Sequence, residues 1–290
     1  MIKLTHLDKP YWKKEKIVKG DLIEYYRKIA PFILPYLKNR PLVMHRFPNG
    51  VGGVHFYQKD VATELPDFVK TAKIKHVDRT IRYILVQNLN TLLYVANLGS
   101  IELHVFNAPI DHLEKPDYLV LDLDPTGVSF STVIEVARAI HDMLDELDLP
   151  HYCKTSGGSG LHIYLPLNGK YPFPEVKSFA RLLARAIHAR LPTLTSLERN
   201  PQKRQRKVYI DCLQNEHMQT VACTYSVRAR PHAPVSTPLL WKEVKSGLEP
   251  TDFTIHNVPK RLSQKHDLFK AVLSRGILIA KYLKKLEKFL

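Results

Sequence analysis

The stretch Tyr118-Leu-Val-Leu-Asp-Leu-Asp-Pro-Thr-Gly127 decides the fold of this 290-residue chain. Its leucines alternate with other residues as they do in a β-strand, where successive side chains point to opposite faces of the sheet. Asp122 and Asp124 therefore share one face, and the leucines occupy the face that suits burial. Two carboxylates this close repel each other unless a cation or a proton lies between them.

The acidic pair allows two interpretations. A hard divalent cation such as Mg²⁺ or Mn²⁺ prefers oxygen ligands and would neutralise both carboxylates. The ordinary alternative is a strand that ends in two solvated aspartates and turns at Pro125. The acidic pair by itself does not distinguish between these interpretations, so the rest of the sequence has to be considered.

Charge and composition narrow the class of partner. Lys and Arg number 43 against 28 Asp and Glu, a formal net charge of +15, which favours a polyanion, nucleic acid before membrane. No apolar run approaches the roughly 18 residues of a membrane span, and the N-terminus lacks the apolar segment of a signal peptide. The three cysteines have no metal-binding spacing and are predicted to be free thiols. We therefore expect a cytoplasmic, nucleoid-associated protein without a membrane partner.

The region from residue 118 alternates strands and helices in a regular order. Apolar periodicity predicts the order β-α-β-β-α-β of a ferredoxin-like or RRM-like unit, an α+β fold. The predicted strands are 118–124, 151–155, 161–165 and 207–212, and the predicted helices run from Ser129 or Ser131 to about 147 and from about 175 to 190. In such a unit the first strand is central, the third and fourth strands flank it, and both helices cover one face.

The strand parity gathers polar groups on the open face of this sheet. On the first, third and fourth strands the apolar residues fall on one side, which suits the helices. The other side then carries Asp122, Asp124, Asp211 and His162. A one-residue slip in register would bury the acids. Three carboxylates on an open sheet face are typical of two-metal phosphoryl transfer, in which paired ions bridge phosphate oxygens.

A candidate phosphate loop lies between the second and third strands. The glycines of Lys154-Thr-Ser-Gly-Gly-Ser-Gly160 allow backbone N–H groups to approach an anion, and Lys154 adds a donor. His162 could donate to a triphosphate, and Arg228 could clamp phosphate oxygens with two hydrogen bonds. The ordinary alternatives are a tight hairpin turn, a sheet histidine and a surface arginine.

The preceding part of the chain is predicted to be mostly β, with a basic and aromatic surface. We expect residues 1–20 to be a solvated lysine-rich arm, followed by a helix that Asp21 caps and that Pro31 and Pro35 break or restart. Phe56 and Tyr57 are expected to divide between core and surface. Further predicted elements are strands at 40–46 and 54–58 in a hairpin, two strands within 71–86, a helix at 88–97, a strand at 101–106 and a basic amphipathic helix at 277–290 that packs on the core.

Several ordered motifs resemble the polymerase domain of ligase D, a member of the archaeo-eukaryotic primase superfamily that serves non-homologous end joining. The resemblance covers nearly the whole chain. Its motifs are Leu121-Asp-Leu-Asp-Pro125, Lys154-Thr-Ser-Gly-Gly-Ser-Gly-Leu-His-Ile-Tyr164, Val208-Tyr-Ile-Asp211, Tyr225-Ser-Val-Arg-Ala-Arg-Pro-His-Ala-Pro-Val235, Leu7-Asp-Lys9, Lys19-Gly-Asp21, Arg46-Phe-Pro-Asn-Gly50, Asn97-Leu-Gly99 and Trp241-Lys-Glu243. It implies a single primase-polymerase domain over 1–290, in which a β-rich DNA-end-binding part at 1–110 is merged with a catalytic palm and C-terminal helical tail at 111–290.

The same resemblance implies a reaction and a role for each motif. The reaction is template-directed nucleotide addition that prefers ribonucleotides and fills gaps or extends ends at DNA breaks bearing a 5′-phosphate. The catalytic and metal-binding residues, for two ions of Mn²⁺ or Mg²⁺, would be Asp122, Asp124 and Asp211. The NTP or dNTP would contact Ser156, His162, Arg228, His104 and Lys154. The DNA contacts would be Lys9 and Lys19 on the 5′-phosphate, Phe56 and Tyr57 stacked on bases, and Arg46.

Three departures from the family pattern concern phosphate recognition and the partners of the protein. Relatives commonly carry Asn where this chain has His6, and the segment between Pro10 and Lys19 is rich in lysine. Many relatives also carry ligase and nuclease domains, for which this chain has no room, so we expect a stand-alone protein or an excised domain. If it stands alone, we expect it to reach Ku and an end-joining ligase by association. Two other functions stay open: a haloacid-dehalogenase-type phosphatase with Asp122 as nucleophile and Asp124 as acid, and a non-catalytic DNA-end-binding module.

Overall fold

The computed structural model describes residues 2–290 and divides them into two compact units. The first unit runs to Asp111 and also contains Thr220–Thr237 and Phe253–His266. The second unit consists of His112–Gln219, Pro238–Asp252 and Asp267–Leu290. Each unit is therefore assembled from three separate segments of the chain.

A six-stranded sheet lies in each unit, with helices packed against it. The α-helices are α1 (Lys19–Leu37), α2 (Leu89–Asn97), α3 (Phe130–Glu146), α4 (Phe173–Arg190), α5 (Val258–Lys265) and α6 (Ala280–Glu287). The strands are β1 (Pro10–Trp12), β2 (Ile17–Val18), β3 (Pro41–Arg46), β4 (Phe56–Gln58), β5 (Lys70–Lys75), β6 (Thr80–Leu85), β7 (Ser100–Phe106), β8 (Tyr118–Pro125), β9 (Tyr152–Thr155), β10 (Leu161–Pro166), β11 (Thr195–Ser196), β12 (Val208–Asp211), β13 (Thr220–Ala222) and β14 (Pro238–Leu239).

The first unit has the sheet order β13-β7-β3-β6-β5, and β4 pairs with β3 as the predicted hairpin requires. The N-terminal arm is not simply solvated, because β1 and β2 pair and bury Tyr11 and Trp12. The indole N–H of Trp12 donates to the Arg230 carbonyl at 2.7 Å. The many lysines of this segment predicted a solvated arm, but its two large aromatic side chains anchor it to the unit.

Helix α1 runs without interruption through Pro31 and Pro35, so the predicted break is wrong. A proline inside a helix costs about 3 kcal/mol, but α1 buries a long apolar face around Ile33. Each fully buried Leu or Ile contributes about 1.5–3 kcal/mol, so the face outweighs the prolines. Asp21 caps the helix from within its first turn, where its carboxylate accepts a hydrogen bond from the Val18 backbone N–H at 2.8 Å.

The second unit has the sheet order β11-β12-β8-β10-β9-β14. Its four central strands are the fourth, first, third and second strands of the predicted unit, so the ferredoxin-like α+β fold is confirmed. Strand β8 is antiparallel to both β10 and β12. A haloacid-dehalogenase-type phosphatase needs a parallel doubly wound sheet around its acidic strand, so that alternative is wrong.

Helices α3 and α4 pack against one face of this sheet. The three leucines of β8, Leu119, Leu121 and Leu123, are fully buried, and so are Val136 and Ile140 of α3. The edge strands β11 and β14 have two residues each, which is too short for a periodic signal in the sequence. The apolar face is thus covered by helices, and the acids of β8 lie on the opposite face.

The C-terminal helix α6 is shorter than predicted and buries Tyr282 and Leu286, which confirms its packing role. All three cysteines are free thiols, as predicted. Within residues 2–290, no helix has both the length and the apolar character needed to cross a membrane.

Candidate active site

Asp122 and Asp211 lie opposite each other on neighbouring strands of the second unit. The pairing of β8 with β12 puts them in direct register, and strand partners carry their side chains on the same face. The side-chain amide of Gln214 donates to Asp122 Oδ2 at 3.1 Å and to Asp211 Oδ2 at 3.5 Å. The two carboxylates therefore converge on one point, as a shared cation requires.

Other contacts hold the remaining oxygens of these two acids. Asp211 Oδ1 accepts hydrogen bonds from the Leu213 backbone N–H at 2.8 Å and from the Tyr209 hydroxyl at 3.4 Å. His162 is the register partner of Asp122 on β10, and its Nε2 lies 3.3 Å from Asp122 Oδ1. Since His162 is only 3% exposed, it orients the acid from within the sheet.

Asp124 continues this face two residues further along β8, opposite Tyr209 on β12. Gly160 lies against the same stretch of β8. A Cβ atom at position 160 would overlap the Leu123 carbonyl oxygen and lie 3.6 Å from Asp124 Oδ1. Glycine is therefore required at this position for the loop that precedes β10 to approach the acidic strand.

Ser156 organises the glycine-serine loop from within. Its Oγ accepts hydrogen bonds from the backbone N–H groups of Gly158 and Gly160 at 3.0 and 3.1 Å. Its own backbone N–H donates to the Gly160 carbonyl at 3.0 Å. Two of the amides that the sequence assigned to an anion thus bind Ser156 and hold the loop in shape.

The side chain of Lys154 is fully buried. It is the register partner of His162, and its Nζ lies 5.5 Å from the centre of the Tyr164 ring. A lysine beside a glycine loop is usually exposed, so this burial could not be predicted from the sequence.

Glu102 is the centre of a second polar cluster, in the first unit. Its Oε2 accepts hydrogen bonds from His45 Nδ1 at 3.1 Å and from His104 Nε2 at 3.0 Å. Its Oε1 accepts from the Ala229 backbone N–H at 2.9 Å, and Arg228 Nε lies 3.3 Å away. One carboxylate thus positions His104 and Arg228, the two residues of this unit predicted to contact the nucleotide.

The electrostatics of this cluster favour an ionised carboxylate. Burial raises the pKa of Glu102, but the hydrogen bond from His104 and the charge of Arg228 outweigh it and hold the pKa well below the ordinary value. Burial lowers the pKa of His104. The sequence did not identify Glu102, because its partners are distant in the chain and meet only when residues 228 and 229 reach β7.

Phe56 and Tyr57 are both exposed, at 42% and 59%, so the expected division between core and surface is wrong. They lie on β4, a three-residue strand that pairs with β3. The Arg46 guanidinium carbon lies 5.3 Å from the centre of the Phe56 ring. Tyr57 stacks on His45, with centroids 4.0 Å apart and planes at 15°. Both rings are therefore held and accessible, as base stacking needs.

Lys9 and Lys19 are neighbours in the first unit. The Lys19 backbone N–H donates to the Lys9 carbonyl at 2.9 Å. Lys9 Nζ donates to Asn49 Oδ1 at 2.6 Å, and Lys19 Nζ donates to the Thr5 carbonyl at 2.9 Å. Burial and the charge of Lys9 together lower the pKa of Lys19. The two ammonium groups are thus close enough to repel each other, which favours an anion between them.

His6 adopts a left-handed backbone conformation with φ of 52°. Asn, Asp and His are the residues other than glycine that are enriched in this region, so His6 suits the turn before Lys9, whose backbone N–H donates to the His6 carbonyl at 3.1 Å.

The donor set of the acidic face fits a divalent metal. Asp122, Asp124 and Asp211 offer carboxylate oxygens, the ligands that Mg²⁺ and Mn²⁺ prefer, and the Gln214 amide takes the position between two of them. Gln214 was not identified from the sequence, since it lies in a short 3₁₀ turn without a periodic signal.

The sequence is similar to a family of known proteins. A sequence model of the LigD primase-polymerase domain matches residues 18–269. The chain is 33% identical over 267 residues to the bifunctional non-homologous end joining protein LigD of Bacillus subtilis (strain 168), covering 91% of this chain and 43% of that protein. It is 32% identical over 252 residues to the multifunctional LigD of Pseudomonas aeruginosa, covering 85% of this chain and 29% of that protein.

A solved structure is similar over nearly its whole length. The polymerase domain of Mycobacterium tuberculosis ligase D in complex with DNA matches with a TM-score of 0.88 and 28% identity, covering 96% of this chain and 99% of that one. By contrast, the chain spans less than half the length of the two curated relatives described above. The likeness is therefore to their polymerase portion.

Proposed function

This chain belongs to the LigD primase-polymerase family of non-homologous end joining, and from that premise we propose that it is a template-directed nucleotidyltransferase. It fills gaps and extends ends at double-strand breaks that bear a 5′-phosphate, with ribonucleotides preferred over deoxyribonucleotides. The observation that carries the proposal is the convergence of Asp122 and Asp211 on one point of the open sheet face.

Asp122, Asp124 and Asp211 would hold two divalent ions, Mn²⁺ or Mg²⁺. When bound, such ions neutralise phosphate charge and make the primer 3′-hydroxyl a better nucleophile. The protein's own groups supply position: His162 orients Asp122, and Leu213 and Tyr209 orient Asp211. No covalent intermediate with the protein is needed.

Each unit contains groups that suit a phosphate of the nucleotide. His162 and the loop shaped by Ser156 lie beside the acidic strand in the second unit. In the first unit, His104 and Arg228 share Glu102 as a fixed anchor. A guanidinium held in place by a buried carboxylate loses less conformational freedom when it binds a phosphate.

DNA would be bound by the first unit. The exposed rings of Phe56 and Tyr57 suit stacking on unpaired bases, with Arg46 beside them. Lys9 and Lys19 suit a terminal 5′-phosphate, because its two negative charges would relieve the repulsion between the ammonium groups. On this proposal the whole chain acts as one polymerase domain on the nucleoid, with Ku and an end-joining ligase as partners.

Primer extension on a gapped duplex tests the proposal. Wild-type protein is expected to extend a primer across a gap with a 5′-phosphate, faster with NTPs than with dNTPs, when Mn²⁺ or Mg²⁺ is present. Asp124→Asn should reduce extension at least a hundredfold, while the surface control Asp142→Asn should leave it unchanged. Full extension by Asp124→Asn would refute the proposed metal site. DNA binding without extension by wild-type protein would favour the end-binding module instead.

A further inference from the structure

A cluster of nitrogen and oxygen ligands lies in the second unit, apart from the acidic face of β8. His141 and Asp145 are one turn apart on α3, so their side chains share a face of the helix. His151 follows at the start of the segment that leads into β9. One ligand atom from each of His141, Asp145 and His151 lies within 4.8 Å of the others.

The orientation of His151 suits a metal ligand. Its Nδ1 lies 2.7 Å from the Leu149 carbonyl oxygen, and since a carbonyl only accepts, Nδ1 carries the proton. In the neutral ring Nε2 then keeps its lone pair and directs it at His141 Nδ1, 2.8 Å away. A carbonyl that fixes the tautomer in this way is a regular companion of metal-binding histidines.

The remaining geometry needs only a small adjustment. Asp145 Oδ2 lies 3.6 Å from His141 Nε2, and Asp145 Oδ1 lies 4.0 Å from His151 Nε2. Zinc–nitrogen bonds of about 2.0–2.1 Å place two tetrahedral nitrogens about 3.4 Å apart. The two imidazole nitrogens that now share a proton would separate by roughly half an ångström. Asp145 is well exposed, with 65% of its side chain accessible, so it can turn toward the ion.

Trp241 closes one side of the cluster. Its ring stacks on the His141 imidazole, with centroids 4.2 Å apart and planes at 2°. Its indole N–H donates to the His151 carbonyl at 3.3 Å. The imidazole of His141 is thus held by stacking on a rigid ring, and the tryptophan lies within quenching distance of any ion bound there.

The other histidine-carboxylate cluster is less suitable for a cation. His45, Glu102 and His104 also have ligand atoms within 4.8 Å of one another. However, the Arg228 guanidinium lies 3.3 Å from Glu102 and already neutralises it. Among residues 2–290, the ion-pair contacts of Asp145 are with the two imidazoles. No arginine or lysine in these contacts balances the carboxylate charge, so a cation can do so.

We propose that His141, Asp145 and His151 bind a divalent transition metal of the Zn²⁺, Ni²⁺ or Cu²⁺ type. Two imidazoles and one carboxylate favour these metals, whereas the three carboxylates on β8 suit Mg²⁺ or Mn²⁺. Bound metal links the C-terminal part of α3 to the segment just before β9. The site therefore stabilises the second unit and takes no part in phosphoryl transfer.

Fluorescence of Trp241 gives a local readout for the test. The chain has two tryptophans, and the other, Trp12, is buried in the first unit. Titration of the full chain with Ni²⁺ at pH 7.5 is expected to quench the emission in a saturable way, and Zn²⁺ should compete. Asp145→Asn, an exposed position that should not affect folding, is expected to weaken the apparent affinity at least tenfold. His141→Gln should do the same, and His256→Gln, an exposed histidine elsewhere, should leave the affinity unchanged.

A second measurement distinguishes metal binding at the proposed site from nonspecific metal binding elsewhere on the protein. Zn²⁺ at a small molar excess should raise the melting temperature of the wild-type protein, and Asp145→Asn should lose this rise. Equal quenching curves for wild-type, Asp145→Asn and His141→Gln proteins would place the ion elsewhere and overturn the proposal. Quenching that never saturates, or a Zn²⁺ stabilisation retained in both variants, would overturn it as well.

Discussion

Asp122 and Asp211 are register partners on antiparallel strands, and a single side-chain amide, that of Gln214, donates to both carboxylates. The amide nitrogen has the position that a cation would take between them. Its dipole reduces the repulsion between the two carboxylates but does not neutralise them, since an amide carries no net charge. Binding of a divalent ion therefore has to displace this amide.

Gln214→Ala should bind Mn²⁺ more tightly than the wild-type protein. Hydrogen bonds to charged groups contribute about 1.5–3 kcal/mol, and the ion no longer has to break two of them, of which one is long. We expect an at least tenfold lower dissociation constant by titration calorimetry, together with a lower melting temperature without metal. Gln202→Ala, on an exposed 3₁₀ turn of the same unit, is the control. Weaker Mn²⁺ binding by Gln214→Ala would instead make Gln214 a direct ligand.

Gly160→Ala should impair both stability and primer extension. The added Cβ would overlap the Leu123 carbonyl and crowd Asp124, so the loop or the acidic strand must move. Shifts of this kind typically cost about 1–3 kcal/mol, which should lower the urea midpoint and reduce extension at least tenfold. Gly158→Ala is a matched control, because its Cβ would meet only Ser156 Oγ, at 3.4 Å. Equal losses in both variants would show that loop entropy, not contact with β8, matters.

Glu102→Gln should weaken nucleotide binding and change the acid stability of the protein. The folded-state pKa of Glu102 is lowered, so its ionised form stabilises the fold above the ordinary carboxyl pKa of about 4.3. That contribution declines as the pH falls below this value. The difference in unfolding free energy between wild type and Glu102→Gln should therefore be largest at neutral pH and shrink toward pH 3. Denaturant titrations at several pH values measure it, and a difference that grows in acid would contradict the assignment.

Glu102→Gln also distinguishes a role in positioning the nucleotide-binding side chains from a general loss of protein structure. If Glu102 holds His104 and Arg228 for the triphosphate, Glu102→Gln should raise the KM for the nucleotide several-fold more than it lowers kcat. Glu146→Gln, which removes an exposed pair with Arg190 on the other unit, should leave KM unchanged. A fall in kcat alone, with KM intact, would argue against a role in nucleotide contact.

Lys9→Ala should reduce the preference for gaps that carry a 5′-phosphate. The variant loses one of two adjacent ammonium groups, so the phosphorylated and unphosphorylated substrates should bind more equally, with discrimination reduced about three- to tenfold. The slope of log affinity against log salt should also fall by about one for the phosphorylated substrate. Lys73→Ala, an exposed lysine on β5, controls for net charge. An unchanged preference in Lys9→Ala would refute the 5′-phosphate site.

The palm-like sheet could be predicted because three of its strands carry a strict alternation that admits one register. That alternation placed Asp122, Asp211 and His162 correctly on a common face. Gln214 and Glu102 escaped prediction, since neither belongs to a motif and each gains its role from partners brought together by the tertiary fold. Local rules also failed at Pro31 and Pro35, where burial of the whole helix face outweighs the cost of the prolines. The burial of Lys154 depends likewise on tertiary packing.

The interleaving of the two units has a consequence for synthesis on the ribosome. Strand β13 and helix α5, both part of the first unit, lie beyond residue 219. The outer edge of β7 therefore has no strand partner from β13 until most of the polypeptide has emerged, and unpaired edges invite aggregation. A nascent chain stalled near residue 110 should consequently need a chaperone. Cleavage at that point should give a fragment that does not fold alone.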